Sequence, residues 1–251
     1  MKVLIVGDIH VKLDILDRVK KLGENYDQVI FLGDYVDDWG VIPEGSYNCL
    51  VDVIEYKKTN PDKVILLLGN HDISEWRGGH FRCSGYNEMS HSLLATVFEK
   101  NRELFKLAHY EHGFLFSHAG FTNAWVNHYF FAQRKDPEYL VKLLNLAVYG
   151  EDDYDLFMGI GDVGIERGGY KDPSPIWADE LELKRDWLPI PQVVGHTPQR
   201  TVNFYKKSDK KIYFCDTFST DMQGKYYGDC TLLTLNDGLA EIIDLDGKVL
   251  V

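Results

Sequence analysis

Six side chains suited to holding a hard cation each follow an apolar run: Asp8 and His10 in GDIH, Asp34 in GDYVDDWG, Asn70 in GNHD, His118 in SHAG and His196 in GHTP. Carboxylate and amide oxygens mixed with imidazoles suit first-row divalent ions such as Mn, Fe or Zn, and not an all-oxygen calcium cage. One carboxylate can bridge two ions about 3.5–4 Å apart, the spacing of hydrolytic two-metal sites, and Asp34 is placed centrally enough to do so. His71, beside Asn70, is a candidate general acid, with Asp37 orienting its imidazole. Singly, an Asp or His after a strand is ordinarily a cap or a satisfied polar group. The recurrence of such clusters at five strand ends is what argues for a site.

The elements that must position them can be read from the apolar spacing. Residues 2–6, 28–32 and 64–68 are short apolar runs that read as buried strands. A helical pattern at 13–22 puts Leu16, Val19 and Leu22 on one face, and a second helix is predicted over 47–58, stopped by Asn60-Pro61. Such a βαβαβ start makes parallel strands with right-handed crossovers, so the first three polar clusters emerge at one sheet edge. Carboxyl ends of parallel strands are where these folds bind ligands. Further helices are predicted over 91–107 and 138–148, and a strand over 113–116 leads into SHAG. The final third reads as strands at 192–194 and 211–215, then a hairpin of 231–235 with 240–245 around Asn236-Asp237-Gly238. No repeat or low-complexity linker divides the chain, which predicts one domain over 1–251 with an inserted or cap-like segment around 121–190.

The 251 residues suffice for a full core, and a hydrophobic content of 45% excludes a largely disordered chain. A formal net charge of −12 opposes general attraction to phosphate backbones, so stable nucleic-acid binding is not expected. It leaves room for a phosphorylated substrate, because bound cations can reverse the sign locally. Cys49, Cys83, Cys215 and Cys230 show neither zinc-ribbon nor dense disulfide spacing. No run reaches the roughly 20 apolar residues of a membrane span, and the expectation is a soluble, cytoplasmic protein.

Taken in order, GDIH, GDYVDDWG, GNHD, SHAG and GHTP resemble the signatures of the calcineurin-like metallophosphoesterase superfamily, spanning residues 7–198. SPIWADE before GHTP is similar to the tryptophan segment of phosphoprotein phosphatases and diadenosine tetraphosphatases, in their small bacterial or phage-type members. The resemblance implies an α/β fold of two mixed sheets packed as a sandwich and flanked by helices. It also implies that Asp8, His10 and Asp34 hold one ion, and Asp34, Asn70, His118 and His196 the other. Position 198 is Pro where other branches carry a second histidine, leaving the first ion three protein ligands. Two divalent ions against Asp8 and Asp34 leave a surplus of about +2, which attracts phosphate. Water activated by these ions would attack phosphorus in line, with His71 protonating the leaving oxygen.

One departure stands out. Phosphoprotein phosphatases carry an arginine that grips phosphate where this chain has Asp38, an anion that cannot do that job. Replacement cations are Arg167 in a glycine-rich loop, Arg77 close after His71, and Arg185. The acidic run 151–155 reads as a solvated face or a receptor for a basic peptide. Trp39, Trp76 and Trp177 read as cleft walls, with base stacking as the alternative. The leading expectation is a dinuclear-metal phosphomonoesterase resembling serine/threonine protein phosphatases, acting on a phosphoprotein or phosphometabolite. The alternatives are a phosphodiesterase or dinucleoside polyphosphate hydrolase, and a non-catalytic scaffold of the same fold.

Overall fold

The structure is a computed structural model that describes residues 1–130, 136–149 and 153–250. Glu151 and Asp152 of the acidic run lie outside the described residues. Among the described residues no helix is long and apolar enough to cross a membrane.

Strand β1 (Lys2–Val6) leads through helix α1 (Leu13–Gly23) to β2 (Gln28–Phe31), then through α2 (Pro43–Thr59) to β3 (Val64–Leu67). The three strands are parallel neighbours, with Leu4 opposite Val29 and Ile30 opposite Ile65. Helices α3 (Asn70–Arg77) and α4 (Glu88–Lys100) follow, then β4 (Phe105–Lys106), parallel to β3. The sequence pattern predicts one helix over 91–107, but the helix stops at Lys100. Asn101 closes it, and Phe105 is drawn into the sheet edge opposite Leu66. Hairpin β5 (Ala108–Glu111) and β6 (Phe114–Ser117) opens the second sheet.

The described residues of the segment 121–190 include four short α-helices: α5 (Asn123–Phe130), α6 (Pro137–Ala147), α7 (Tyr154–Gly159) and α8 (Glu180–Asp186). Asp136, Asp153 and Asp179 cap the last three by accepting hydrogen bonds from first-turn amides. Strands β7 (Gln192–Val194), β8 (Asn203–Lys207) and β9 (Lys210–Phe214) complete the second sheet, ordered β5-β6-β7-β9-β8. The hairpin β10 (Leu232–Asn236) and β11 (Leu239–Ile243) returns to the first, ordered β11-β10-β1-β2-β3-β4. In it Leu235 pairs with Ala240 across the Asn236-Asp237-Gly238 turn.

Strand periodicity decides how the layers meet. Val3, Ile5, Ile30, Leu32 and Leu67 face the second sheet and pack with Phe116, Val193 and Tyr213. Leu4, Val6, Val29, Phe31 and Leu66 face the other way, onto Leu16, Val19, Leu50, Val53 and Phe98 of the helices. Val194, Ile212 and Phe214 cover the outer side of the second sheet with Leu183 and Trp187. The α/β sandwich of two mixed sheets flanked by helices is therefore present. β1–β2–β3 and β6–β7–β9 are the parallel triplets of the two sheets, and their carboxyl ends carry all the polar clusters.

Candidate metal centre and catalytic cleft

Glycine precedes Asp8, Asp34, Asn70 and His196, and two of these positions show why. A Cβ on Gly69 would collide with Oδ1 of Asp34, and one on Gly195 would collide with Oδ1 of Asp8. Closely packed turns bring the ligand side chains together only where no side chain intervenes. The backbone is also held in an uncommon region: φ is +42° at His10, +54° at Asp34, +60° at Asp37 and +65° at His196. Left-handed non-glycine residues cost free energy and cluster where geometry serves function.

Asp72 fixes the central turn. Its carboxylate accepts from the amides of Asp34 (2.7 Å), Tyr35 (3.0 Å) and Gly69 (2.9 Å). The amide of His71 donates to Oδ1 of Asp34 at 3.0 Å. The other oxygen of Asp34 lies 3.4 Å from Nε2 of His118 and 3.7 Å from Nε2 of His10. The backbone amide of His196 donates to both oxygens of Asp8, at 3.1 and 3.0 Å.

Four donor atoms converge: Nε2 of His118 is 3.0 Å from Oδ1 of Asn70 and 3.1 Å from Nδ1 of His196, which is 3.1 Å from that same Oδ1. Oδ2 of Asp34 completes the set. Ligands about 2.1 Å from one ion stand about 3.0 Å apart in an octahedron and about 3.4 Å apart in a tetrahedron. A proton on Nδ1 of His196 could serve only one of these contacts. Nδ1 of His118 faces the carbonyl oxygen of Leu32 at 2.9 Å and must donate there, so its Nε2 presents a lone pair to other acceptors. Nε2 of His196 is buried without a partner. A cation satisfies this surplus of lone pairs, so the residues fit a metal. The orientation of His10 matches, since its Nδ1 donates to the carbonyl of Asp37 at 2.7 Å and leaves Nε2 toward Asp34.

Electrostatics agree with the geometry. Burial, then the neighbouring acids, pushes the carboxyls of Asp8 and Asp34 well above the usual range. Burial also pulls His10 down to about 4 and His118 to about 3, and holds His196 well below its ordinary value. The imidazoles are thus neutral, as ligands must be, and the buried carboxylates call for compensating cations. Asp8, Asp34 and His118 form one group of potential ligands, and His10, Asp34 and His71 another.

His71 and Asp37 form a separate dyad, with Nδ1 3.3 Å from Oδ2. Gly85 closes over both: an added Cβ would stand 2.8 Å from that Nδ1 and 2.9 Å from that oxygen. Burial raises Asp37 to about 7 and lowers His71 to about 4. The dyad, His10, Asp34, Asn70 and His196 all border one cleft of about 440 Å³.

The three arginines are placed differently. Arg167 borders the cleft; its guanidinium donates to the carbonyl of His196 (3.3 Å) and to Oγ1 of Thr197 (3.1 Å), and pairs with Asp179 at 3.0 Å. Arg77 stacks on Trp76 at 4.0 Å and donates to the carbonyl of Val148 at 2.8 Å, away from the cleft. Arg185 is exposed and pairs with Glu166. Trp39 and Trp177 line the cleft, whereas Trp76 is buried.

Several participants escape sequence reasoning. Lys12 donates to Asp38 at 2.7 Å and to the carbonyl of His10 at 3.2 Å, and Thr220 donates to Asp38 at 2.9 Å. Burial would raise the Asp38 carboxyl, but the hydrogen bond and charge of Lys12 hold it below its ordinary value. Asp216, buried after β9, accepts from the Ser219 hydroxyl at 2.8 Å. Its signal was available, since it too follows an apolar strand at a parallel carboxyl end. Asp72 could have been found in GNHD only by asking which group satisfies the turn amides.

A family model described as calcineurin-like phosphoesterase matches residues 1–200. No match is found among curated protein sequences. Among solved structures, a cold-active protein-tyrosine phosphatase from a psychrophilic Shewanella is similar at a TM-score of 0.65 and 18% identity, over 99% of this chain and 79% of that one. A protein serine/threonine phosphatase from Saccharomyces cerevisiae gives 0.54 and 16%, over 97% and 80%. A metallophosphoesterase from Sphaerobacter thermophilus gives 0.50 and 14%, over 96% and 87%. At these identities the likeness is one of fold. The extent of the family match, together with the converging donor atoms, supports a phosphoester hydrolase: the chain belongs to the calcineurin-like phosphoesterase family.

Proposed function

We propose that the chain is a phosphomonoesterase of the phosphoprotein-phosphatase branch that works with two divalent ions, of which Mn, Fe and Zn suit the donor set. The observation that supports it most is the surplus of lone pairs among His118, Asn70, His196 and Asp34, with the His71–Asp37 dyad on the same cleft. Asp8, His10 and Asp34 would hold one ion, and Asp34, Asn70, His118 and His196 the other. When bound, the ions supply Lewis acidity toward water and the phosphoryl oxygens.

The protein's own groups do the rest. With Asp37 raised to about 7, its protonated carboxyl donates to Nδ1 of His71, which keeps the one proton of the neutral ring at Nε2 for the leaving oxygen. Arg167 contacts a non-bridging phosphoryl oxygen, being the arginine of the three that borders the cleft. The segment 121–190 acts as an insertion that supplies Arg167 and Trp177 to the substrate side. The substrate is phosphorylated and cytoplasmic, in keeping with four free cysteines.

The test compares p-nitrophenyl phosphate, its bis ester and a dinucleoside polyphosphate with protein loaded with Mn, Fe or Zn. The monoester is expected to turn over with the highest kcat/KM. Faster turnover of either other ester makes the protein a diesterase or polyphosphate hydrolase, and no turnover with any ion makes it a scaffold.

A further inference from the structure

We infer that Trp39 is a specificity-determining residue, an aromatic platform that selects phosphomonoesters whose leaving oxygen is carried by an aromatic ring. This rests on the phosphomonoesterase reading and narrows its substrate class, away from alkyl esters such as phosphoserine.

Trp39 is 56% exposed, yet it borders the same cleft as His10, Asp34, His71 and Arg167. An indole is a large apolar surface that chains ordinarily bury. This one is held out by a built support. The Trp39 amide donates to Oδ1 of Asp38 at 2.8 Å, while Oδ2 of Asp38 takes the Lys12 ammonium at 2.7 Å. The hydroxyl of Thr220, from the loop after β9, donates to Asp38 as well. The residue that stands where a phosphate-gripping cation would be expected therefore fixes the peptide that carries the indole. Trp177 also borders the cleft, with its ring edge-on to His196 at 5.8 Å between centroids.

Leaving-group chemistry points the same way. A phenol has a pKa of about 10, whereas an alkyl alcohol lies near water at about 15.7. An aromatic leaving group departs with less help from an acid. A flat apolar face on the cleft wall, as Trp39 provides, suits such a ring.

Two sources share this chemistry, a tyrosine-phosphorylated peptide and a small aryl phosphate. The Mn-loaded protein and its Trp39→Ala and Trp39→Phe variants are titrated calorimetrically with phenylphosphonate and with methylphosphonate, neither of which can be hydrolysed. Phenylphosphonate is expected to bind about tenfold more tightly to the unaltered protein. That ratio should fall to within about twofold in Trp39→Ala and be largely kept in Trp39→Phe. Equal affinity for the two ligands, failure of both to bind, or a ratio unchanged in Trp39→Ala overturns the inference. If the ratio behaves as expected but no monoester is turned over, the hydrolase reading fails and the platform stands. Comparing kcat/KM for a phosphotyrosyl peptide and for phenyl phosphate then assigns the source to whichever is higher.

Discussion

The ammonium of Lys12 lies 2.7 Å from a carboxylate oxygen of Asp38, with the two side chains only 8% and 15% exposed. Three aspartates within GDYVDDWG look uncompensated in sequence, yet the third has its cation from the turn after β1. Removing one member of a buried pair strands the other charge. Lys12→Met is expected to lower unfolding stability by about 3 kcal/mol, and Lys12→Met with Asp38→Leu to recover most of it. Urea denaturation of the two variants reads this directly.

Gly69→Ala should act on the metal centre more than on the fold. The added Cβ meets Oδ1 of Asp34, whose turn is otherwise fixed by Asp72. Calorimetric titration with Mn should show affinity weakened at least about tenfold, as expected when a group orienting a ligand is disturbed. Unaltered Mn affinity would mean that Asp34 is not a shared ligand.

His71→Asn should separate proton transfer from metal binding. His71 is not among the six proposed ligands, although its ring lies beside His10 and Asp34, so the number of bound ions measured by mass spectrometry should be unchanged. Turnover of an alkyl phosphomonoester should fall by about 10²–10⁴ in kcat, the usual contribution of a positioned acid. Asp37→Asn should give a smaller loss.

The three arginines give a graded expectation for KM. Arg167→Ala should raise KM for a monoester about tenfold, the loss of one charge-assisted contact. Arg185→Ala, exposed and paired with Glu166, should stay within about twofold. Arg77→Ala removes the stack on Trp76, so its effect should be read in thermal stability and not in KM.

Glu75 offers a pH test outside the cleft. Its side chain is fully buried, with the Asn87 amide at 2.9 Å, and burial raises its carboxyl to about 7 from an ordinary 4.5. A raised carboxyl favours the protonated folded state, so its contribution is complete below pH 4.5 and lost as pH rises through about 7. Glu75→Gln removes that titration. Denaturation at pH 5 and pH 8 should therefore show the unaltered protein losing stability relative to the variant. An unchanged difference would place Glu75 in contact with solvent.

The sequence alone determined the layered fold and the six ligand candidates, because strand ends and helix faces are written in local periodicity. Residues 28–32 could be read as a buried strand without knowing their neighbours, and Asp34 as the group at its end. Local pattern also fixed the positions of His71 and Asp37, 34 residues apart, on two turns of one sheet edge. Local pattern failed where partners are distant in the chain. It could not show that Lys12 neutralises Asp38, that Thr220 reaches the same carboxylate across 182 residues, or that Asp216 is buried at the same edge. Nor could it sort Arg167 from Arg77 and Arg185, since all three are alike as sequence and differ only in what the folded chain sets beside them. Pairing of charges across turns depends on how the two sheets bring their strand ends together, a property of the tertiary structure and not of any segment.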